Sequence, residues 1–320
     1  MTSHVIFGGA GFIGRHVARA LIARGEDVTV VVRSAYPASA GIKQPKVVMP
    51  SLSTAVASDF DRLIGDAEIV HNYAWSTIPQ TANAEPLEDL VDNVGLTINI
   101  LEAMRRRGGG RLIFTSSGGT VYGRLHTIPV PETHELAPLT AYGASKVSAE
   151  TYVKFYNRLY GLDTRIARVA NPYGAGQMVT RPQGVLTTMV HRALSHQTIE
   201  IWGDGEVVRD FIHVSDAVSG LLSLADALPN QDLVPPIFNI GSGKGCSINE
   251  ILVSIERRLE KKLQVVRKPG RAFDIPISVL DIAKMEREFG WRPKLTLEAG
   301  IYHMLDDLQE DPARLFSSLI

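Results

Sequence analysis

The sequence predicts an α/β fold: a doubly wound parallel sheet of the Rossmann kind, with a smaller C-terminal α/β substrate lobe. Three observations predict it. Residues 4–7 form a short apolar run that ends in glycines, and Phe12, Val17, Ala20 and Leu21 follow at helical spacing. Residues 28–32 are a run of Val and Thr suited to a strand buried on both faces. The alternation then repeats, with strands expected at 67–71, 111–115 and 164–169 and long helices at 90–107 and 145–160. Strands that alternate with helices imply parallel βαβ units.

At 320 residues the chain is long for a single core. We place a dinucleotide-binding domain at 1–170 and a second lobe at 171–320, where loops such as "NPYGAGQ" and "WGDGEVVRD" interleave with short elements. Part of 207–240 is expected to rejoin the sheet through an apolar run at 238–240.

Composition excludes several function classes. The net charge of −1 leaves no footprint for nucleic acid or an anionic membrane, and no apolar run reaches a spanning length. The run Arg105-Arg106-Arg107 before three glycines reads as the basic last turn of a helix. One cysteine, Cys246, suits a reducing compartment, and "MTSHVIFGGAG" enters a strand directly, so a cytoplasmic location is expected. Nine histidines lie without ligand spacing, and no metal is expected.

The stretch "IFGGAGFIG" puts Gly8, Gly11 and Gly14 between the first strand and the first helix. Glycines there permit a tight turn, close approach of a pyrophosphate and close helix packing. The opening of the helix, at Phe12 and Ile13, offers backbone N–H groups and a positive dipole end to phosphate. The cofactor is therefore NAD or NADP(H). An acid at the end of the second strand would hold the ribose 2′-OH of NAD. Here Val32 stands there, followed by Arg33, which favours NADP(H) because guanidinium matches a 2′-phosphate. A solvated Arg33 fits the same pattern.

Tyr142 and Lys146 are four apart, so one helix face carries both. An ammonium near a phenol is expected to pull the phenol pKa down, making Tyr142 a general acid/base beside a nicotinamide. The hydroxyl-rich strand end "SSGGTVYG" precedes them.

With Gly8, Gly11 and Gly14, "SSGGTVYG", "YGASK", "RVANPYGAGQ", "IWGDGEVVRDFIHVSD" and "GRAFD", nearly the whole chain resembles the extended short-chain dehydrogenases/reductases. The likeness is to nucleotide-sugar epimerases and dehydratases of the UDP-glucose 4-epimerase type. That resemblance implies that Tyr142 is the acid/base and that Lys146 tunes it and holds the nicotinamide ribose. It implies further that Asn171 faces the substrate, that Arg209 and Arg271 clamp a nucleotide diphosphate, and that a helix bundle makes a homodimer. Each arginine also has an acid nearby to pair with, Asp210 and Asp274. The chain departs from the family at Gly118, where a helper Ser or Thr is usual; Ser117 or Thr120 must substitute, with Ser117 preferred. Glycine at 118 and 119 lets backbone approach a hexose ring.

The expected activity is an NAD(P)-dependent 4-epimerase of a nucleotide-linked hexose. The alternative is an NADPH-dependent reductase of a nucleotide 4-keto-6-deoxy sugar. A third reading keeps the fold as a non-catalytic dinucleotide sensor. A dehydratase is disfavoured, since no Asp-Glu pair follows the strand-end hydroxyl.

Overall fold

A computed structural model of the chain describes residues 1–32, 46–48, 55–177, 184–226, 236–270 and 275–310. Arg33 and Arg271 lie outside the described residues. The main sheet has seven strands in the order β10-β6-β5-β4-β1-β2-β3. In sequence these are β1 (Ser3–Phe7), β2 (Asp27–Val32), β3 (Lys46–Val48), β4 (Ile69–Asn72), β5 (Arg111–Ser117), β6 (Asp163–Val169) and β10 (Ile237–Ile240). Pairing is parallel at β1–β2, β1–β4, β2–β3 and β4–β5. Val5, Ile6, Phe7, Val28, Val30 and Val31 are all buried, which is why these strands read as apolar runs and not as alternations.

The strand order reverses between β1 and β4, so the loops after these two strands diverge at their carboxyl ends. Open α/β sheets form a ligand crevice at such a switch point.

The chain divides into two compact units. The first comprises Met1–Val121, Pro138–Arg168 and Val218–Phe238; the second comprises Tyr122–Ala137, Val169–Ala217 and Asn239–Ile320. The sequence reading placed one boundary near 170 and a return within 207–240. The units trade one further segment, 122–137, which has no compositional break to mark it.

In the first unit, α1 (Phe12–Ala23), α4 (Pro86–Arg106) and α5 (Ala141–Tyr160) flank the strands. The α5 helix is set at both ends: Thr140 Oγ1 accepts from Gly143 N at 3.2 Å, and Gly161 closes it in the left-handed region at φ 65°. Its middle is tied to β6 by Arg168 and Glu150, buried together, with Nη2 to Oε2 at 2.7 Å and Nε to Oε1 at 3.0 Å. Two parallel charge-assisted bonds offset part of the cost of taking both charges out of water.

In the second unit, β9 (Val208–His213) pairs with β7 (Asn171–Tyr173), β11 (Gly245–Ser247) and β13 (Ile277–Ser278). A separate apolar core there gathers Tyr173, Met189, Ile199, Phe211, Ile251 and Leu305. No helix among the described residues is long and apolar enough to cross a membrane.

Candidate active site

The loop after β1 is shaped for close backbone approach. Gly8 sits at φ +78°, and a Cβ there would lie 2.6 Å from Ala74 N. At Gly14 a Cβ would lie 2.2 Å from Gly8 O and 2.7 Å from Gly9 Cα. Gly11 donates its N–H to Gly8 O at 2.9 Å and starts α1 with no side-chain cap. The first N–H groups of a helix have no partners within it, so those of Phe12 and Ile13 suit a phosphate. This cradle, which any side chain would fill, fits a dinucleotide.

Tyr142 and Lys146 lie in the first two turns of α5. Lys146 is buried, and its Nζ donates to Thr115 O, at the end of β5, at 2.8 Å. The same ammonium stands 3.5 Å from the centroid of the Trp75 ring. Trp75 in turn meets Tyr142 edge-on, with centroids 5.9 Å apart. Consecutive residues of one loop therefore touch both halves of the site: Ala74 packs on Gly8, and Trp75 on Tyr142 and Lys146.

The electrostatics differ from the sequence expectation. Burial pushes the Tyr142 phenol up, and the nearby Asp89 carboxylate pushes it further in the same direction. Burial brings Lys146 down to about 7, opposed by the charges of Glu150 and Asp89. Desolvation and Asp89 together move the phenol in the direction opposite to the one expected from Lys146 alone.

The strand end supplies hydroxyls. Ser117 closes β5, and its carbonyl accepts from Thr120 N at 3.3 Å and Val121 N at 3.2 Å, which makes the "SGGT" segment a tight turn. Thr120 lies against the start of α5: a Cβ on Gly143 would be 2.8 Å from Thr120 O. Thr120 Oγ1 and Ser116 Oγ are both buried without a hydrogen-bond partner. Buried polar atoms in native structures are nearly always satisfied, so two orphaned hydroxyls, one near the end of β5 and one in the turn after it, are groups that a ligand could complete.

Of the expected substrate residues, Asn171 and Arg209 lie in the second unit. Asn171 pairs in register with Phe211, and its Nδ2 donates to Asp210 O at 2.9 Å. Arg209 Nη1 donates to Val208 O at 2.9 Å and to Ile275 O. Asp210 is not engaged as its ion-pair partner; its carboxylate accepts from Ser242 N and Oγ, Gly243 N and Leu280 N. His71 is a packed histidine, bonded to His4 at 3.0 Å and to the Tyr73 hydroxyl at 2.7 Å.

Sequence reasoning missed Trp75, Asp89 and Asn93. A signal existed for two of them. Asp89, Asn93 and Thr97 recur every four residues on α4 and are all buried, a polar stripe on a face next to Ile100 and Leu101. Asn93 Nδ2 donates to Asp89 Oδ1 at 2.9 Å, and Asn72 Nδ2 donates to Thr97 Oγ1 at 3.2 Å. Trp75 carries no local signal at all.

The model of the NAD dependent epimerase/dehydratase family matches residues 4–241. The chain belongs to that family. It is thereby an enzyme of the extended short-chain dehydrogenase/reductase kind, with an NAD-type dinucleotide as cofactor. A putative UDP-glucose 4-epimerase of Methanocaldococcus jannaschii is 34% identical over 94% of this chain and 97% of its own length. A dTDP-4-dehydro-6-deoxyglucose reductase of Escherichia coli is 29% identical over 95% of this chain and 97% of its own. The crystal structure of the UDP-glucose 4-epimerase of Thermotoga maritima with UDP-glucose superposes with a TM-score of 0.88 at 31% identity, covering 96% of this chain and 98% of that one.

Proposed function

We propose that this enzyme is an NAD-dependent 4-epimerase of a UDP-hexose. The observation that carries the reading is the shared loop: Ala74 closes on the dinucleotide cradle at Gly8, and the next residue packs on Tyr142 and Lys146. A proton transfer at Tyr142 beside the cofactor loop fits these contacts. Bound NAD supplies the acceptor, and later the donor, of the sugar C4 hydride.

The chain's own residues do the rest. Tyr142 takes the 4-OH proton and later returns it to the 4-keto oxygen, so no net redox occurs. Thr120, whose hydroxyl has no internal partner, holds that sugar oxygen. We prefer it to Ser117 because it lies against the start of α5. Lys146 holds the cofactor ribose and supplies positive charge to the phenol. The role of Asn171, Arg209 and Arg271 is to bind the nucleotide diphosphate, for which a guanidinium fork suits two phosphate oxygens. Neutral Val32 ends β2 with no acid for a ribose 2′-OH and no charge against a 2′-phosphate. NAD and NADP should therefore bind within about tenfold of each other.

The exposed apolar residues Leu87, Leu90 and Val91 on α4, and Tyr152, Phe155 and Leu159 on α5, form a face suited to a second copy of the chain. Light scattering should then give the mass of a dimer.

The test of the activity is to mix purified enzyme and NAD with UDP-glucose and follow UDP-galactose by NMR. Interconversion without net NADH supports the reading. Tyr142→Phe should lower kcat by about 10²–10⁴-fold with the cofactor still bound. The likeness to the reductase favours a second reading, reduction of a nucleotide 4-keto-6-deoxy sugar. One equivalent of NADPH oxidised per sugar would select it.

A further inference from the structure

The catalytic pair rests on an aromatic ring. Lys146 has three N–H bonds to place. One goes to Thr115 O at 2.8 Å, and the ammonium sits on the Trp75 face at 3.5 Å, which leaves it one direction for a ligand. Trp75 also touches Phe114 at 6.4 Å and Tyr142 at 5.9 Å, so one ring fixes both members of the pair.

Trp75 is itself held from α4. Ser76 donates from N at 2.8 Å and from Oγ at 3.2 Å to Asn93 Oδ1. Thr77 Oγ1 donates to Asp89 Oδ1, which also accepts from Asn93 Nδ2 at 2.9 Å. The buried polar stripe of α4 thus pins the two residues that follow Trp75. The indole Nε1, meanwhile, is buried without a partner. An orphaned N–H is a net cost, on the order of 1–3 kcal/mol, that a phenylalanine of similar packing would avoid. What indole offers in exchange is the strongest π-face for a cation, worth most where water is excluded.

We propose that Trp75 is a positioning residue for the Tyr142–Lys146 pair, its indole face keeping the buried Lys146 ammonium charged and in place, with Asp89 and Asn93 holding the ring. The proposal rests on the reading that Tyr142 and Lys146 do the chemistry. The groups facing Lys146 are few. They are Glu150 on its own helix, already paired with Arg168 of β6, and Asp89 of α4. Beside them stand Tyr142, the Phe114 ring and Thr115 O of β5. The short α3 (Pro79–Ala84) that packs on α5 has no titratable side chain. Changing Trp75 leaves all of these charges in place.

The experiment follows the Lys146 ¹³Cε signal of lysine-labelled full-length protein against pH, assigned by its loss in Lys146→Met. Trp75→Leu should lower the Lys146 titration point by about one pH unit, and Trp75→Phe by less, since a benzene face retains part of the attraction. The basic limb of kcat should move down by the same amount. Asp89→Asn should lower the titration point as well, through both the lost charge and the loosened loop. An unchanged titration in Trp75→Leu overturns the proposal. If that variant does not fold, an unchanged titration in both Trp75→Phe and Asp89→Asn does so. The two readings separate cleanly: full turnover by Tyr142→Phe removes the pair from the chemistry, whereas an inactive Tyr142→Phe beside an unmoved Lys146 titration removes Trp75 alone.

Discussion

Asp210 in the second unit and the end of β5 in the first both bury polar side chains, and they do so to opposite effect. Asp210 is 1% exposed and accepts from Ser242 N at 2.7 Å, Ser242 Oγ at 2.6 Å, and Gly243 N and Leu280 N at 3.2 Å each. Burial pushes its carboxyl above the usual range while these four donors pull it back. Both oxygens are used, and the group joins β9 to the segments at 242–243 and 280. Around β5, by contrast, Ser116 Oγ, Thr120 Oγ1, Asn72 Oδ1, Trp75 Nε1 and Asp89 Oδ2 are buried with no partner. A satisfied buried polar group is architecture. Under the proposed activity, the hydroxyls of Ser116 and Thr120 are the ones a bound sugar would complete, and without it they cost stability.

Several substitutions would break or sharpen this contrast. Asp210→Ala strands three backbone donors and should lower the unfolding free energy by about 3–5 kcal/mol, read by urea denaturation. Loss of less than about 1 kcal/mol would mean that the junction does not depend on it.

Lys146 comes next. Burial sets its folded value near 7, against 10.5 for an ordinary lysine. Between those values the unfolded chain binds the extra proton, so stability rises with pH through that window and the penalty is complete below it. Relative to Lys146→Met, the cofactor-free enzyme should gain about 2–5 kcal/mol from pH 7 to pH 10. A flat difference would show the ammonium to be well solvated.

Thr120→Val sharpens the contrast most directly. It removes an orphaned hydroxyl at constant shape, so stability should hold or rise by about 1 kcal/mol while kcat falls by about 10–100-fold. Parallel losses in both would make Thr120 architectural. Ser117→Ala should have the smallest effect, below about threefold in kcat, since its hydroxyl is not in the proposed contact set. A loss as large as that of Thr120→Val would return the helper role to Ser117.

Much of this was legible in the chain. The strands at 4–7, 28–32 and 111–115 and the helix carrying Tyr142 and Lys146 were visible because period and β-branching are local properties. Asp89 and Asn93 announced themselves only as polar residues four apart within an apolar helix, a pattern equally consistent with a solvated face. The segment 122–137 was assigned with its sequence neighbours because nothing in its composition separates it from them. The drop in the Tyr142 pKa was expected from one neighbour, and burial reversed it.

The sequence alone determined the dinucleotide cradle, since a strand, three glycines and a helix are consecutive and their geometry follows from backbone sterics. It also determined that Tyr142 and Lys146 share a face. Only the tertiary structure decided what stands against them. Trp75, Asp89, Thr115 and Lys146 belong to four separate stretches that meet because β4 and β5 are neighbours in the sheet and α4 packs on α5. Burial, which sets the charge of Lys146 and leaves Thr120 without a partner, belongs to no residue taken singly. It arises from the packing of all of them.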